Sequence, residues 1–303
     1  MLYNHLGGEY MNTVKEIANA KINLYLDVLS KREDGFHGIK TVMHTVSLSD
    51  EVTVAVAPSS ALSVRLSATG DFYVPTDSRN LAYAAAVKFH ERLGINAAVD
   101  IRLVKRIPVA AGLAGGSSDT AATLRALNRL YKRPFSLSAL CAIGAELGSD
   151  VPYCILGKTA LCEGRGEKIT RISTNMHLFT VIATANEYVS TPEAYSALDR
   201  HYSDFDGTVP TGGEEHYALL ISGLSEGKLL PSALFNAFEA PILPRCPRAS
   251  EIKARMLQLG AECAMMSGSG SSVFGIFKTK NEAKLAQADL RKLGYLSHYA
   301  ESC

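Results

Sequence analysis

The sequence predicts an α+β protein built from two domains. Its 303 residues, of which 47% are hydrophobic, are enough to form one large core or two ordinary ones. Strand-like and helix-like segments interleave without the regular alternation that a doubly wound parallel sheet requires. The chain changes character around residues 164–173, and we therefore predict an N-terminal domain at residues 1–168 and a C-terminal domain at residues 169–303.

The N-terminal half begins with an alternating segment at residues 20–29. The even-numbered residues from Ile22 to Val28 are apolar, whereas Lys21, Asn23 and Asp27 share the other side, as in a strand with one polar face. Shorter apolar runs predict strands at residues 42–46, 52–56 and 99–103. Apolar residues at helical spacing predict helices at residues 81–93 (ended by Gly94), 120–131 and 138–147.

The second half of the chain also contains both predicted strands and predicted helices. A strand is predicted at residues 178–183, followed by a polar, mobile surface loop at residues 204–216. Gly260 ends a predicted helix at residues 251–259. Strands at residues 261–266 and 273–277 flank a glycine turn, and a last helix is predicted at residues 281–293.

Composition excludes several classes of function. The net charge is +1 and no long charged block is present, which argues against binding to nucleic acid or a membrane surface. No apolar run reaches the roughly 20 residues of a membrane span. Residues 1–10 lack the apolar core of a signal peptide, and Met11 is an alternative start. The six cysteines form no metal-binding pattern. We therefore expect a cytoplasmic protein.

The segment from Pro108 to Asp119 carries the strongest chemical signal. Small residues there leave backbone N–H groups uncovered, Ser117 and Ser118 follow, and a helix begins. Backbone amides at a helix N-terminus, together with the positive end of its dipole, favour an anion such as a phosphate. We also expect Ser117 or Ser118 to cap this helix. The pattern therefore predicts a phosphate-binding loop.

This loop matches neither of two familiar nucleotide motifs. A P-loop has a lysine after its last glycine, where this chain has Ser117, and the spacing G-x-G-x-x-G of the dinucleotide-binding fold is absent. A tight structural turn is the alternative, because glycine is common wherever the backbone bends sharply. The loop by itself leaves both interpretations open.

Five motifs together resemble the GHMP kinase superfamily. They occur in the order Ala20-Lys21-Ile22-Asn23-Leu24, Asp34-Gly35-Phe36-His37, Pro108 to Asp119, Gly148-Ser149-Asp150-Val151-Pro152, and Met266-Ser267-Gly268-Ser269-Gly270. The glycine loop is shared across the superfamily. The first, second and fourth motifs narrow the resemblance to its members that act on a cytidine-bearing substrate.

The resemblance implies a fold and an activity. The N-terminal domain would be like domain 2 of ribosomal protein S5 and the C-terminal domain ferredoxin-like, with the active site between them. The enzyme would use ATP and Mg²⁺ to phosphorylate the 2-hydroxyl of the small molecule 4-diphosphocytidyl-2-C-methyl-D-erythritol, a step of the non-mevalonate isoprenoid pathway.

The resemblance also assigns roles to individual residues. Asp150 would be the catalytic base, Lys21 would stabilise the developing alkoxide, and Ser117 would be a metal ligand. ATP would be bound by Pro108, Ala110, Gly112, Leu113, Ala114, Gly115, Gly116, Ser117 and Ser118. The acceptor would be bound by Asn23, Phe36, His37, Thr191, Tyr195, Gly268 and Ser269, with the aromatic rings stacking on cytosine.

Each assignment has a simpler alternative. Lys21 would be a solvated surface lysine, Asp150 a cap of a turn, Phe36 a core residue and His37 a surface histidine. The turn at residues 267–271 is also compatible with a hairpin turn.

Two rival functions remain. The first is another small-molecule GHMP kinase, acting on homoserine or a mevalonate, which would not need Phe36, His37 and Tyr195 around a base. The second is a catalytically silent paralog that binds nucleotide, against which Lys21 and Asp150 argue. The chain departs from the usual family pattern at Asn19, Phe36, 236–239 and 271–272.

Overall fold

The fold, taken from a computed structural model, mixes strands and helices as predicted. The structure describes residues 12–31, 33, 35–185, 187–203 and 213–303. The strands in these ranges are β1 Asn12–Lys31, β2 His37–Pro58, β3 Ser63–Gly70, β4 Ala97–Lys105, β5 Thr159–Gly164, β6 Lys168–Arg171, β7 Phe179–Thr184, β8 Phe235–Asn236, β9 Cys263–Met266, β10 Val273–Phe277 and β11 Leu296–Glu301. The α-helices are α1 Leu81–Leu93, α2 Gly115–Leu130, α3 Leu137–Ala145, α4 Val151–Leu156, α5 Thr191–Ser203, α6 Gly213–Glu226, α7 Glu239–Ile242, α8 Pro247–Gln258 and α9 Lys280–Lys292.

The chain packs into two compact units that are discontinuous in sequence. The first comprises the described part of Met1–Ala20 with Ser49–Val109 and Ala114–Leu156. The second comprises Lys21–Leu48, Ala110–Leu113 and Gly157–Cys303. The strands β1 and β2 therefore contribute residues to both units. The predicted domain boundary at residues 168 and 169 stays a prediction.

The first unit is a sheet covered by helices. Strand β4 pairs antiparallel with the end of β2, from Glu51↔Val104 to Pro58↔Ala97, and parallel with β3 on its other side. Helix α1 connects the two parallel strands, as such a crossover requires. The apolar faces of α1 and α2 pack into one core with the sheet, including Phe89, Ile101, Leu124 and Leu127.

Helix α1 begins and ends as its sequence predicts. The side chain of Asn80 accepts a hydrogen bond from the N–H of Ala82 at 2.9 Å, which satisfies one donor of the first turn. Gly94 follows the helix in the left-handed conformation, with φ of 70°. The bounds Leu81–Leu93 match the prediction because both signals are local.

The second unit contains a ferredoxin-like arrangement. Its four-stranded antiparallel sheet has the order β11-β7-β10-β9. In chain order this is a strand, a helical crossover, a hairpin, a helix and a strand, with α8 and α9 packed on the sheet. The predicted strands at residues 178–183, 261–266 and 273–277 are confirmed, and the two-domain α+β prediction is confirmed with them.

Three local predictions were wrong. The strands predicted at residues 42–46 and 52–56 are parts of one strand, β2, because the polar residues between them continue the alternation of buried and exposed positions. Helix α2 begins at Gly115 and not at residue 120. The predicted loop at residues 204–216 includes the start of α6 at Gly213; its residues 204–212 lie outside the described ranges.

The described residues contain neither a membrane-spanning helix nor a cluster of metal ligands. None of their helices is long and apolar enough to cross a membrane. Within the same ranges, no cluster of three or more His, Cys, Asp or Glu side chains is placed to hold a metal ion.

A buried ion cluster lies at the end of β4 in the first unit. Lys105 Nζ donates to Asp119 Oδ2 at 2.6 Å and to Asp50 Oδ2, and all three side chains are at least 96% buried. Asp50 Oδ1 accepts from the backbone N–H groups of Arg106, at 2.5 Å, and Ile107, at 2.8 Å. Burial raises the pKa of Asp119 to about 7, against the opposing effect of the Lys105 ammonium.

We expect Lys105→Met to lower the free energy of unfolding by about 3–5 kcal/mol, because it leaves two buried carboxylates without their cation. Urea denaturation at pH 7 measures the loss. The matched control is Arg106→Met, whose guanidinium pairs with Glu51 at the surface at 3.0 Å and which should lose less than about 1 kcal/mol. Equal losses in the two variants would contradict a structural role for the buried cluster.

Candidate active site

The glycine loop has an unusual backbone. Ala110, Gly112 and Ala114 have positive φ values of 52°, 76° and 57°. Such left-handed residues alternating with ordinary ones turn successive N–H groups toward one point, which makes an anion-binding concavity. Two of them are alanines, for which this conformation costs of order 1–2 kcal/mol each. The loop is therefore held in its shape by its surroundings.

Helix α2 begins without a side-chain cap. Its N-cap residue is Ala114, whose methyl group accepts no hydrogen bond. The prediction that Ser117 or Ser118 caps this helix was wrong, because both lie inside its first turn. The open N–H groups and the dipole of α2 thus remain available to an anion.

The two serines of this turn differ in their surroundings. Ser118 is buried, and its hydroxyl donates to the carbonyl oxygen of Asn19 at 2.6 Å. Ser117 is half-buried, and its Oγ lies 3.8 Å from where a Cβ on Gly148 would be. Ser117 therefore lies beside the turn that carries Asp150, whereas Ser118 anchors the start of α2 to β1.

Lys21 is buried in the second unit, with 4% of the residue exposed. Its Nζ donates to Asn23 Oδ1 at 2.6 Å and to the carbonyl oxygen of Gly112 at 2.8 Å. Its backbone N–H also donates to the carbonyl of Leu113 at 3.2 Å. The alternative of a solvated surface lysine is therefore wrong, and the cation is bound directly to the glycine loop.

Asn23 connects the same cluster to the fifth motif, the turn at residues 266–270. Its Oδ1 accepts from the N–H of Gly268 at 2.9 Å as well as from Lys21, and its Nδ2 donates to Thr41 Oγ1 at 2.8 Å. An amide side chain offers two acceptor and two donor positions. Three of these positions are used by other described residues, and none of those residues bonds to the fourth position, the second N–H.

The glycine turn after β9 touches the loop itself. A Cβ on Gly112 would lie 2.0 Å from the carbonyl oxygen of Ser267, so only glycine fits there. The Ser267 hydroxyl also donates to the Gly112 carbonyl at 2.9 Å. The turn thus both connects β9 with β10 and packs against the glycine loop.

The segment at residues 236–239 fixes this turn from the other side. Asn236 Nδ2 donates to the carbonyl oxygens of Met266 and Gly268, at 2.7 and 2.9 Å. Glu239 accepts from the N–H of Met266 at 2.8 Å and from Lys253 Nζ at 2.6 Å. Asn236 and Glu239, the two polar residues at the ends of this segment, thus both bond to the backbone around the turn.

Asp150 lies at the start of α4 in the first unit and is half-buried. Its carbonyl oxygen accepts from the N–H of Cys154 at 2.9 Å. Its carboxylate, by contrast, has no hydrogen bond or ion pair with any residue in the described ranges. The side chain therefore does not cap the turn, contrary to the simpler alternative.

The aromatic residues form a cluster around His37 in the second unit. The ring of Tyr195 stacks on His37 at 5.0 Å with an interplanar angle of 23°, and it packs edge-to-face on Phe238. Phe36 is 57% exposed, and the Arg165 guanidinium lies 5.2 Å from its ring centre. The alternative that Phe36 is a core residue is therefore wrong.

The remaining candidate residues occupy different places. Thr191, at the start of α5, lies with its Oγ1 3.5 Å from Ser269 Oγ. Pro108 is buried, whereas Ala110 is exposed. Asp34 of the second motif lies outside the described residues.

The sequence analysis did not identify the side chains that hold the candidate residues in place. Thr41, Asn236 and Asp199 each contact a candidate residue from more than 15 positions away along the chain. A single sequence gives no signal for such pairs. The only local signal was the polar side of β1, which continues through Tyr25 and Asp27.

Comparisons with known proteins agree with this geometry. The sequence profile of the GHMP kinases N terminal domain matches residues 80–158, and that of the GHMP kinases C terminal domain matches residues 221–296. The chain therefore belongs to the GHMP kinase family. The first of these matches contains the glycine loop and Asp150.

The relatives within the family are more specific. The 4-diphosphocytidyl-2-C-methyl-D-erythritol kinase of Exiguobacterium sibiricum is 42% identical, over 90% of this chain and 92% of that protein. The enzyme of the same name from Bacillus subtilis is 41% identical, over 92% and 93% of the two chains. A crystal structure of 4-(cytidine 5'-diphospho)-2C-methyl-D-erythritol kinase superposes with a TM-score of 0.78 at 32% identity, covering 95% of this chain and 98% of that one.

A more distant structure shows the fold alone. Homoserine kinase from Cytophaga hutchinsonii has a TM-score of 0.74 at 20% identity, covering 100% of this chain and 97% of that one.

We expect Gly112→Ala to lower the free energy of unfolding by about 2–4 kcal/mol, from backbone strain and from overpacking against Ser267. The control is Gly94→Ala, which has a similar φ of 70° but no atom within 4 Å of the new methyl group and should lose about 1–2 kcal/mol. Urea denaturation of both variants gives the two losses of unfolding free energy, and their difference is the contribution of the steric contact with Ser267. A loss at Gly112 no larger than at Gly94 would show that the close approach to Ser267 is not maintained.

Proposed function

We propose that this chain transfers the γ-phosphoryl group of ATP to the 2-hydroxyl of 4-diphosphocytidyl-2-C-methyl-D-erythritol. The observation that carries the proposal is the uncapped start of α2 behind a loop of alternating left-handed residues, a place suited to a polyphosphate. The relatives named 4-diphosphocytidyl-2-C-methyl-D-erythritol kinase, which are 41–42% identical over at least nine-tenths of the chain, support the choice of acceptor. A cytoplasmic location remains part of the proposal.

The protein contributes mainly position and charge to such a transfer. The N–H groups of residues 110–117 would hold the triphosphate, and the dipole of α2 would favour its negative charge. Neither contribution needs the lysine of a P-loop. Pro108 lies just before this segment, whereas Leu113 lies within it and is bonded to β1 through the N–H of Lys21.

Asp150 would accept the proton of the attacking hydroxyl, or orient that hydroxyl. Its half-buried carboxylate, which no described residue engages, supports this role. Lys21 would stabilise the developing alkoxide, since a desolvated ammonium acts on a nearby negative charge more strongly than a solvated one.

Mg²⁺ would be bound chiefly by the phosphate oxygens of ATP. The described residues offer no multi-carboxylate cage, which is compatible with Mg²⁺, because that ion commonly keeps its waters and takes one or two protein ligands besides substrate phosphates. The half-buried hydroxyl of Ser117, beside the Gly148 turn, fits as one such ligand. When bound, the ion would neutralise charge on the transferring phosphoryl group.

The acceptor would be bound by the second unit. Phe36, His37 and Tyr195 provide flat faces and a hydrogen-bonding edge for cytosine. Thr191 and Ser269, whose hydroxyls are 3.5 Å apart, and the free N–H of Asn23 beside Gly268 would contact the rest of the molecule.

The decisive experiment is an assay of the purified protein with this substrate and Mg-ATP. We expect formation of ADP and of the product phosphorylated at the 2-hydroxyl, detected by mass spectrometry and by phosphorus NMR. Homoserine and mevalonate serve as competing acceptors. Turnover of either in place of the cytidine compound would identify a different GHMP kinase, and no turnover of any acceptor would point to a silent paralog.

We expect Asp150→Asn to lower turnover by at least roughly 100-fold, because an amide cannot accept the proton. Steady-state kinetics with saturating ATP measure the effect, and the KM for ATP should change little. Asp77→Asn, which removes an exposed carboxylate paired with Arg79 in the same unit, is the control. Near-normal turnover of Asp150→Asn would remove this residue from the chemistry.

A further inference from the structure

Helix α5 presents two side chains to the same ring. Tyr195 and Asp199 are four residues apart and so lie on one face of the helix. Tyr195 stacks on the imidazole of His37, and Asp199 Oδ1 lies 2.7 Å from His37 Nε2. The first contact fixes the plane of the ring, and the second selects one of the two ring orientations that a half-turn about the Cβ–Cγ bond exchanges.

Asp199 contributes little to the core. Its side chain is 44% exposed, whereas that of His37 is 11% exposed. Among the described residues, His37 is the only hydrogen-bond or ion-pair partner of the Asp199 carboxylate. An exposed pair of this kind adds little to stability, so its effect falls chiefly on the orientation and protonation of the ring.

The contact determines which ring nitrogen carries the proton. A carboxylate only accepts hydrogen bonds, so His37 Nε2 must be protonated. In the neutral imidazole the other nitrogen, Nδ1, is then an acceptor. No described residue donates to Nδ1 or accepts from it. The histidine therefore has one acceptor available for a ligand.

An acceptor at this position distinguishes two pyrimidines. Cytosine carries an amino group at C4, which donates to Nδ1. Uracil carries a carbonyl at C4, whose lone pairs would face the lone pair of Nδ1. A site that pairs with a substrate N–H discriminates strongly against an analogue that lacks it.

We propose that Asp199 is a positioning residue that sets the base selectivity of the acceptor site by holding His37 with Nδ1 as an acceptor. The inference rests on the proposed function. It adds a residue that acts through His37 and does not itself touch the base.

The test compares the cytidine substrate with its uridine analogue, in wild type and in Asp199→Asn. An amide can donate to Nε2 as well as accept from it, so the variant admits both tautomers. We expect its preference for cytidine over uridine, as kcat/KM, to fall about tenfold, the equivalent of about 1.4 kcal/mol. The KM of the variant for the cytidine substrate should rise, whereas its kcat and its KM for ATP should stay within about twofold of the wild-type values.

The control is Glu193→Gln, another carboxylate of α5, which bonds Ser190 and not His37. It should keep the wild-type selectivity. Unchanged selectivity in Asp199→Asn would overturn the inference while leaving the kinase activity intact. A parallel loss toward both substrates and ATP would also overturn it, because that outcome indicates a structural role. Absence of cytidine-substrate turnover in wild type would instead overturn the proposed function and the inference together.

Discussion

A lysine ammonium shielded from water constrains much of the second unit. Removing a charge from water is costly unless hydrogen-bond partners replace the solvent, and Lys21 obtains two neutral oxygens, from Asn23 and from Gly112. To provide the second oxygen, the loop at residues 110–113 must lie against β1. That approach in turn brings Gly112 against Ser267, where no larger residue fits. One buried cation thus links three motifs that are far apart in sequence.

The glycine loop is strained, because left-handed alanines on either side of Gly112 persist only where neighbouring structure determines them. The start of α2, which follows this loop in sequence, has a buried charge of its own. Beneath the start of α2, Lys105 lies 3.6 Å from the position of a Cβ on Gly115 and is bonded to Asp119 of the same helix. This ion cluster ties the end of β4 to the first turns of α2. The segment between them is thereby held at both ends.

The sequence predicted what local signals determine. Helix α1 has its cap at Asn80 and its stop at Gly94, so its bounds were correct. Helix α2 was placed too late, because the start depends on the left-handed Ala114 and not on the serines. Strands such as β3, β5 and β11 were missed because pairing with distant partners defines them. For the site, the motifs located Lys21 and Asp150, but burial of Lys21 and the contact of Asp199 with His37 come only from the folded chain.

The candidate residues of the site and the side chains that contact them differ in burial. Lys21, Asn23 and Ser267 are almost completely buried, and each bonds to at least one distant segment. Phe36 is 57% exposed, and the side chain of Asp199 is 44% exposed. Replacing a buried, bonded group disturbs the fold, whereas replacing an exposed one does so far less. Substitutions of Phe36 or Asp199, near His37, should therefore disturb the fold less than substitutions around the glycine loop, and the fold alone does not define the substrate.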